Sequence, residues 1–256
     1  MKNLLLSFFV LLAGFAQAQE FYFEAPALKN PTIKTEHGIS IIPNGRLLTP
    51  RGKLIETAPH PYGLTLSKDG KTAVTVNSGV RPFSISIITD LESPNPKTLQ
   101  VPEGSTSDEG ILEACFMGVA ISNDNNTIYV AGGETNKIFL HNAKTGEPKG
   151  EIDCSLTIGG IDYTHGYLGD MVTTADGKTL YVVDQIGFRI VEIDLTQNKV
   201  VSNIPSGRYP FGITLTPDNS KLIVANVGIF EYTRFTDLDP ENLKETAHKY
   251  PSSKYG

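Results

Sequence analysis

The chain has 256 residues, with 22 lysines and arginines against 28 aspartates and glutamates, and its formal net charge at pH 7 is −6. This acidic surplus argues against a protein that follows the phosphate backbone of a nucleic acid. The length is sufficient for one sizeable domain, since a chain of this size buries most of the surface that its unfolded form exposes.

Residues 1–18 have the pattern of a secretory signal peptide. Lys2 precedes an apolar run from Leu4 to Phe15, and the small-residue pattern Ala16-Gln17-Ala18 follows. The run is too short to span a bilayer as a helix, which needs roughly 20 apolar residues. We therefore expect cleavage near Ala18, a periplasmic or extracellular location, and no membrane span. Loss of Lys2 leaves 21 basic and 28 acidic residues, a net charge of 21 − 28 = −7.

After a lead segment at 19–43, the sequence from 44 to 236 contains an internal repeat in four copies. Residues 60–70 read HPYGLTLSKDG and residues 209–219 read YPFGITLTPDN, so the first and fourth copies match almost position for position. The second copy, FMGVAISNDN, covers 116–125. The third, GDMVTTADG at 169–177, carries one extra residue between its glycine and its second aspartate.

Each copy is typical of a β-hairpin, because two short runs of β-branched and aromatic residues flank a turn that contains aspartate. The equivalent aspartates are Asp69, Asp124, Asp176 and Asp218. Two further strands follow the hairpins, at 138–141 and 151–152 in the second copy and at 189–194 and 199–204 in the third. Four strands in about 40 to 55 residues make one propeller blade. We therefore predict an all-β fold, a β-propeller of four-stranded antiparallel blades with about four blades present.

The repeats resemble the YVTN-type β-propeller repeat, with VTVN at 74–77 and IVAN at 223–226 at the corresponding blade position. A narrower resemblance lies in IPNGRLLTPRG at 42–52 and ANVGIFEY at 225–232. These segments are similar to the N-terminal propeller of exported bacterial proteins in which a propeller precedes an alkaline-phosphatase-like phosphoesterase domain. The resemblance implies that the metal ligands lie in that C-terminal domain. We therefore assign no catalytic residue, metal or cofactor to this chain.

The resemblance also implies a ring larger than four blades. Residues 52–57 are a candidate outer strand that would help to close the last blade, whereas the polar residues 237–256, with Pro240 and Pro251, have no strand pattern. They are either a tail or the start of an insertion between blades. We expect an incomplete propeller with an exposed edge where the next blade would pack.

Blade topology predicts a candidate ligand site. The loops that lead into the innermost strands and the ends of the second strands lie on the same face of a propeller, so their side chains converge on the central channel. The candidates are His60, Asn77, Glu113, His165, Asp170, Asp184, Arg208 and Asn226. The competing interpretation is that asparagine and aspartate at strand ends cap backbone groups.

Two further groups have a structural and a functional interpretation. For the turn aspartates, a role in turn formation is the favoured interpretation. The alternative, calcium binding, needs several oxygen ligands within one short segment. For the aromatic residues near the blade glycines, packing between neighbouring blades is favoured over the alternative, a platform on which nucleic-acid bases stack. These aromatic residues are Tyr62, Phe116, Tyr167, Tyr209 and Phe211.

Cys115 and Cys154 are predicted to be free thiols, although export makes a disulfide chemically possible. In one blade, Cys115 opens the innermost strand and Cys154 follows the outermost strand. Three strand spacings of about 4.8 Å then separate them, which exceeds the roughly 7 Å limit between the Cα atoms of a disulfide.

The sequence therefore favours a non-catalytic, exported module that binds a small ligand, a protein partner or an attached phosphoesterase domain. The alternative is a hydrolase or metal-assisted enzyme, similar to lactonase-type propellers, with its site on the loop face. Nucleic acid is not an expected partner.

Overall fold

The computed structural model describes residues 40–42, 44–79, 81–104 and 111–228. The predicted signal peptide and the polar tail lie outside the described residues, as does nearly all of the lead segment. The chain divides into two compact units, Met1–Leu54 and Ile55–Gly256. In the first unit, β1 (Ser40–Ile41) and β2 (Leu47–Leu48) form a short antiparallel hairpin.

The described residues of the second unit form three four-stranded antiparallel sheets and two two-stranded sheets, and we call the three larger sheets and the last two-stranded sheet blades 1 to 4. Blade 1 comprises β3 (Pro61–Leu66), β4 (Ala73–Asn77), β5 (Ser84–Thr89) and β6 (Lys97–Val101). Blade 2 comprises β7 (Val119–Ile121), β8 (Thr127–Ala131), β9 (Lys137–Asn142) and β10 (Pro148–Asp153). A small hairpin of β11 (Thr157–Ile158) and β12 (Ile161–Asp162) follows. Blade 3 comprises β13 (Leu168–Thr173), β14 (Thr179–Asp184), β15 (Arg189–Asp194) and β16 (Lys199–Pro205), and blade 4 comprises β17 (Pro210–Leu215) and β18 (Leu222–Asn226).

The predicted all-β fold is confirmed, and the strands lie where the repeat places them. The strands in each sheet are paired in sequence order, which is the antiparallel meander expected of a blade. The candidate strand at 52–57 is wrong, because none of these residues is in a strand. Gly52 has a φ of +110°, and the Ala58 N–H donates to Ser86 Oγ at 3.3 Å instead of joining a ladder.

Apolar residues on both faces of the middle blades form the core. In blade 2, Val119, Ile128 and Val130 pack against Val74 and Ile85 of blade 1. The alternate residues of the same strands, among them Ala120 and Tyr129, pack against blade 3. Because successive side chains of a strand point to opposite faces, a sheet between two other sheets needs apolar residues at nearly every position. This explains the continuous apolar runs in these strands.

The blade glycines allow the innermost strands to approach closely. A Cβ atom on Gly63 would lie 1.9 Å from the carbonyl oxygen of Met117, and one on Gly118 would lie 2.0 Å from the carbonyl oxygen of Gly169. Gly212 occupies the equivalent position in blade 4, where the nearest atoms are 3.9 Å away. The glycine is therefore a steric requirement in blades 1 and 2, but not in blade 4.

Blade 4 leaves an open edge, as predicted. Strand β18 pairs with β17 only, among the described residues. On this blade Ile223 is 56% exposed, and Val227, just after β18, is 68% exposed. The described part of the chain is therefore an incomplete propeller of about four blades.

Candidate ligand-binding face

The loops that lead into the innermost strands lie beside the ends of the second strands. The N–H of Ser78 donates to the carbonyl oxygen of His60 at 3.2 Å in blade 1, and the N–H of Gln185 donates to that of Tyr167 at 2.9 Å in blade 3. In blade 4, the N–H of Val227 donates to the carbonyl oxygen of Tyr209 at 2.9 Å. We call this side of the second unit the upper face, and the side that carries the aspartate turns the lower face.

Two residues of the upper face have an uncommon backbone conformation at the same repeat position. His60 and Tyr209 have φ values of 59° and 50°, and each directly precedes a proline. Positive φ is uncommon for residues other than glycine, and asparagine, aspartate and histidine adopt it more often than the rest; such strain is concentrated at functional sites.

Aromatic rings from all four blades contact one another at this face, in an arrangement that we call the aromatic cluster. The ring of Tyr62 stacks on His60, with centroids 5.5 Å apart, and lies 5.4 Å from Phe116. Phe116 in turn lies 5.3 Å from Tyr167 and 6.1 Å from Phe211, both in edge-on geometry. These are favourable separations for aromatic pairs. The cluster joins blade 1 to blade 4 through Phe116.

The aromatic cluster is only partly buried. Tyr62 is 47% exposed, and Phe116, Tyr167 and Phe211 are half-buried. Tyr209, which is 38% exposed, lies outside the cluster and packs against Phe188 at 5.5 Å. The predicted packing between blades therefore describes the contacts of these rings, but it does not account for the ring surface that stays exposed to solvent.

Carboxylates border the aromatic cluster. Gly133 approaches it closely, because a Cβ atom there would lie 3.7 Å from atoms of both Phe116 and Tyr167. The next residue, Glu134, is exposed. The pKa of Tyr167 is raised, mainly by partial burial and further by the negative charge of Glu134. The upper face thus combines exposed aromatic surface with nearby negative charge.

Two of the sequence-predicted site residues are buried within the blades and have structural partners. The Asn77 side chain is 2% exposed and donates to Ser84 Oγ at 3.0 Å and to Ser86 Oγ at 2.9 Å. Asp184 is fully buried and accepts hydrogen bonds from the N–H groups of Tyr167 and Gly187. These interactions are those of residues that cap backbone and side-chain groups at strand ends.

Asp170 links two blades. One carboxylate oxygen accepts a hydrogen bond from the N–H of Met171 at 2.9 Å, and the other accepts one from the N–H of Ile213 in blade 4 at 3.0 Å. Asn226 is packed against Gly207, and its Oδ1 is buried without a hydrogen-bond partner among the described residues. Among the eight predicted site residues, this is the one buried side-chain atom without a hydrogen-bond partner in the described part of the chain.

The other four predicted residues lie in the loops that lead into the innermost strands. His60, Glu113 and His165 are exposed, and Arg208 is half-buried. His60 Nδ1 is 3.4 Å from Ser78 Oγ, and Glu113 lies close enough to Lys137 to contribute to the raised pKa of that lysine, for which the hydrogen bond to Glu151 is the main cause. These residues remain accessible to a ligand.

Sequence reasoning missed Arg189, which is the partner of Asp184. Its Nε donates to Asp184 Oδ2 at 2.8 Å, and both side chains are at most 1% exposed. Its Nη atoms donate to Asn203 Oδ1 and to the carbonyl oxygen of Cys154, each at 2.9 Å. The guanidinium also lies 4.2 Å from the ring centroid of Tyr163. Arg189 therefore ties blade 3 to the end of blade 2 and to the insertion that follows it.

The turn aspartates of the lower face are structural, as predicted. Asp69 accepts hydrogen bonds from Ser67 Oγ at 2.6 Å and from the N–H of Lys71 at 3.1 Å. The same pattern recurs at the other three turns, where a serine or threonine two residues earlier donates to Asp124, Asp176 and Asp218. Each carboxylate is engaged by hydrogen bonds of its own turn.

A cavity of about 300 Å³ opens between blades 1, 2 and 3 at the lower face. Two of its polar side chains are held by the backbone of blade 3, since Asn123 Nδ2 and Lys68 Nζ donate to the carbonyl oxygen of Ala175 at 2.8 Å and 3.4 Å. The upper face is therefore the better candidate for binding.

Within the described ranges, no group of three or more histidines, cysteines, aspartates or glutamates is placed to hold a metal ion. The same residues contain no helix long and apolar enough to cross a membrane. Cys115 and Cys154 are both free, as predicted.

Comparison with known proteins finds related folds but no family. No family model matches the chain, and no curated protein matches it. Among solved structures, it is similar to hydrazine synthase of Kuenenia stuttgartiensis, with 23% identity, a TM-score of 0.49, and coverage of 70% of this chain and 46% of that chain. It is also similar to a 6-phosphogluconolactonase-like protein from Bacteroides uniformis, with 17% identity, a TM-score of 0.48, and coverage of 75% and 55%. A mitotic checkpoint complex chain matches with 18% identity, a TM-score of 0.48, and coverage of 64% and 45%.

The chain thus spans about half the length of the solved structures that it matches. Its four-stranded meander sheets, joined through close contacts of their innermost strands, define the class of protein as a β-propeller.

Proposed function

We propose that this chain is an exported, non-catalytic binding module, and that its upper face carries the binding site. The observation that carries the proposal is the convergence of His60, Tyr62, Phe116, Tyr167 and Phe211, from all four blades, in one partly exposed aromatic cluster. Exposed aromatic surface next to polar groups is typical of ligand and partner sites.

The loops of the upper face fit this role. They carry an exposed histidine and glutamate, and a backbone strained at His60 and Tyr209. By contrast, the polar groups at the lower face are engaged by turns that repeat from blade to blade. Loops held by a rigid scaffold are the usual position of binding residues.

The resemblance in the sequence supports a wider context for the module. We propose that it forms the N-terminal part of a larger propeller protein whose partner is a phosphoesterase domain of the same polypeptide. The edge of β18 is open to the further strands that would complete blade 4, and the exposed Ile223 side chain lies on a face against which a further blade would pack. The coding sequence after Gly256 tests this context, since the proposal predicts further blade repeats followed by an alkaline-phosphatase-like domain.

The binding site is tested by amide NMR of the isotope-labelled protein during titration with small probes of cationic, neutral and anionic character. The proposal predicts shifts for the amides of Tyr62, Phe116 and Tyr167, with the amides of Asp69 and Asp218 at the lower face as internal controls. Shifts confined to the lower face, or none for any probe, would contradict it.

Export and the absence of catalysis have separate tests. Expression of the full chain in a bacterium, followed by mass spectrometry of the periplasmic fraction, should give a mature N-terminus near Gln19. Turnover of phosphate esters by this chain alone would overturn the non-catalytic role. The lactonase-type alternative predicts that combined substitution of His60, His165 and Arg208 abolishes a measurable hydrolysis.

A further inference from the structure

The aromatic cluster has the electrostatic character of a cation site. The faces of aromatic rings carry negative potential, and a cation within about 6 Å of a ring centroid is attracted to them. The chain itself contains this interaction elsewhere, since the Arg189 guanidinium lies 4.2 Å from the centroid of the Tyr163 ring. Tyr62, which is 47% exposed, presents ring surface of the same kind to solvent.

Negative charge lies at both ends of the cluster. Glu134 follows Gly133, which lies against Phe116 and Tyr167. At the other end, the carboxylate of Asp170 lies 3.9 Å from the Cβ position of Gly212, which directly follows Phe211. Asp170 accepts two backbone hydrogen bonds there, from the N–H groups of Met171 and Ile213. A ligand on the rings of Phe116 and Tyr167 would therefore lie near the carboxylate of Glu134.

These charges decide between classes of ligand. Phosphate groups of a nucleic acid or nucleotide would meet Glu134 and a protein of net charge −6, and repulsion would oppose their approach. A neutral apolar ligand would bury the rings but would gain nothing from the carboxylates. A cationic amine is attracted both to the faces of the rings and to the negative charge beside them.

We propose that the aromatic cluster, with Glu134 beside it, binds the cationic head group of a small amine, such as a quaternary ammonium. This inference rests on the proposed function, because it assigns a ligand class to the same upper face. Tyr62 supplies an accessible ring, Phe116 and Tyr167 form the floor, and Glu134 supplies the neighbouring charge.

The test is a titration of the protein with choline, followed by amide NMR. Its neutral isostere, 3,3-dimethylbutan-1-ol, has nearly the same shape without the charge. The proposal predicts that choline binds with millimolar affinity and that the isostere binds several-fold more weakly, since an exposed cation–π contact changes affinity by roughly two- to fivefold. Equal affinity for choline and the isostere would overturn the proposal.

Matched variants locate the site. Tyr62→Phe keeps the ring and should leave choline affinity nearly unchanged, whereas Tyr62→Leu should lower it about threefold. Glu134→Gln should weaken choline binding, and Glu147→Gln, at an exposed turn of the lower face, should not. Unchanged affinity in both Tyr62→Leu and Glu134→Gln would overturn the assignment.

Failure of this inference can be distinguished from failure of the proposed function. If choline causes no shift but a neutral or anionic probe shifts the amides of Tyr62 and Phe116, the cation site is wrong and the binding face stands. If no probe shifts these amides, both proposals fail.

Discussion

Asp184 and Arg189 form a buried ion pair on which a quantitative prediction can be based. Asp184→Ala removes the acceptor of the Arg189 Nε–H at 2.8 Å and of the N–H groups of Tyr167 and Gly187 at 2.9 Å and 3.0 Å. It leaves the Arg189 charge in a site where the side chain is 1% exposed. Breaking a buried pair in this way costs about 3–5 kcal/mol, a large part of the about 5–15 kcal/mol that stabilises a typical domain.

Urea denaturation followed by circular dichroism measures this effect. With a slope of about 1–3 kcal/mol per molar urea, the Asp184→Ala midpoint should fall by more than roughly 1 M. Glu151→Ala is the matched control, because it breaks an ion pair to Lys137 of the same 2.8 Å length whose side chains are 47% and 32% exposed. Exposed pairs contribute about 0–1 kcal/mol. Equal loss of unfolding free energy in the two variants would refute the assignment of a buried, interacting pair.

Two further predictions concern titratable groups. Burial, which is complete at Cys154 and partial at Cys115, raises the pKa of both thiols to about 12. Iodoacetamide at pH 8 should therefore modify neither thiol in the folded protein and both in urea, as mass spectrometry would show. Rapid labelling without urea would contradict the raised pKa values. Hydrogen bonds from Thr216 and Ser220 lower the pKa of Asp218 from 3.8 to about 2. A carboxyl group whose pKa is lowered by folding stabilises the folded state at pH values above its unfolded pKa, here near 3.8. This stabilisation is lost as the pH falls towards 2. Asp218→Asn should therefore reduce the acid dependence of the unfolding free energy between these pH values, and an identical acid dependence in the variant would count against the turn hydrogen bonds.

The blades were predictable from sequence because the residues that form each turn and hairpin lie close together along the chain. Each turn is held by hydrogen bonds between residues no more than five positions apart, as at Ser67, Asp69 and Thr72. The repeating pattern of serine or threonine, aspartate and apolar strand therefore predicts both the hairpin and its register. The prediction of a strand at 52–57 was wrong because it depended on long-range closure of the ring, which the local sequence pattern does not determine.

The roles of the site residues were harder to predict, because they depend on partners distant in sequence. Asp184 was assigned to the channel, yet it lies directly opposite Arg189 in the register of β14 and β15. Opposite charges facing each other across a hairpin attract, and this signal was present in the sequence. The contacts of Arg189 with Tyr163 and with the carbonyl oxygen of Cys154 left no such signal in the sequence, because an insertion and another blade supply these groups. The exposure of Tyr62 likewise depends on how close neighbouring blades lie.

The packing of successive blades around a common axis is tested most directly by alanine at the blade glycines. A Cβ atom on Gly118 would lie 2.0 Å from the Gly169 carbonyl oxygen, whereas one on Gly212, at the same repeat position in blade 4, meets nothing closer than 3.9 Å. Gly118→Ala should therefore lower the unfolding free energy by about 1–3 kcal/mol or more, as expected for a steric clash in a packed core. Gly212→Ala should be neutral or stabilise by up to about 1 kcal/mol, because alanine restricts the unfolded chain. Comparable unfolding free energies for the two variants in urea would contradict the close approach of the innermost strands, and with it the propeller arrangement of the blades.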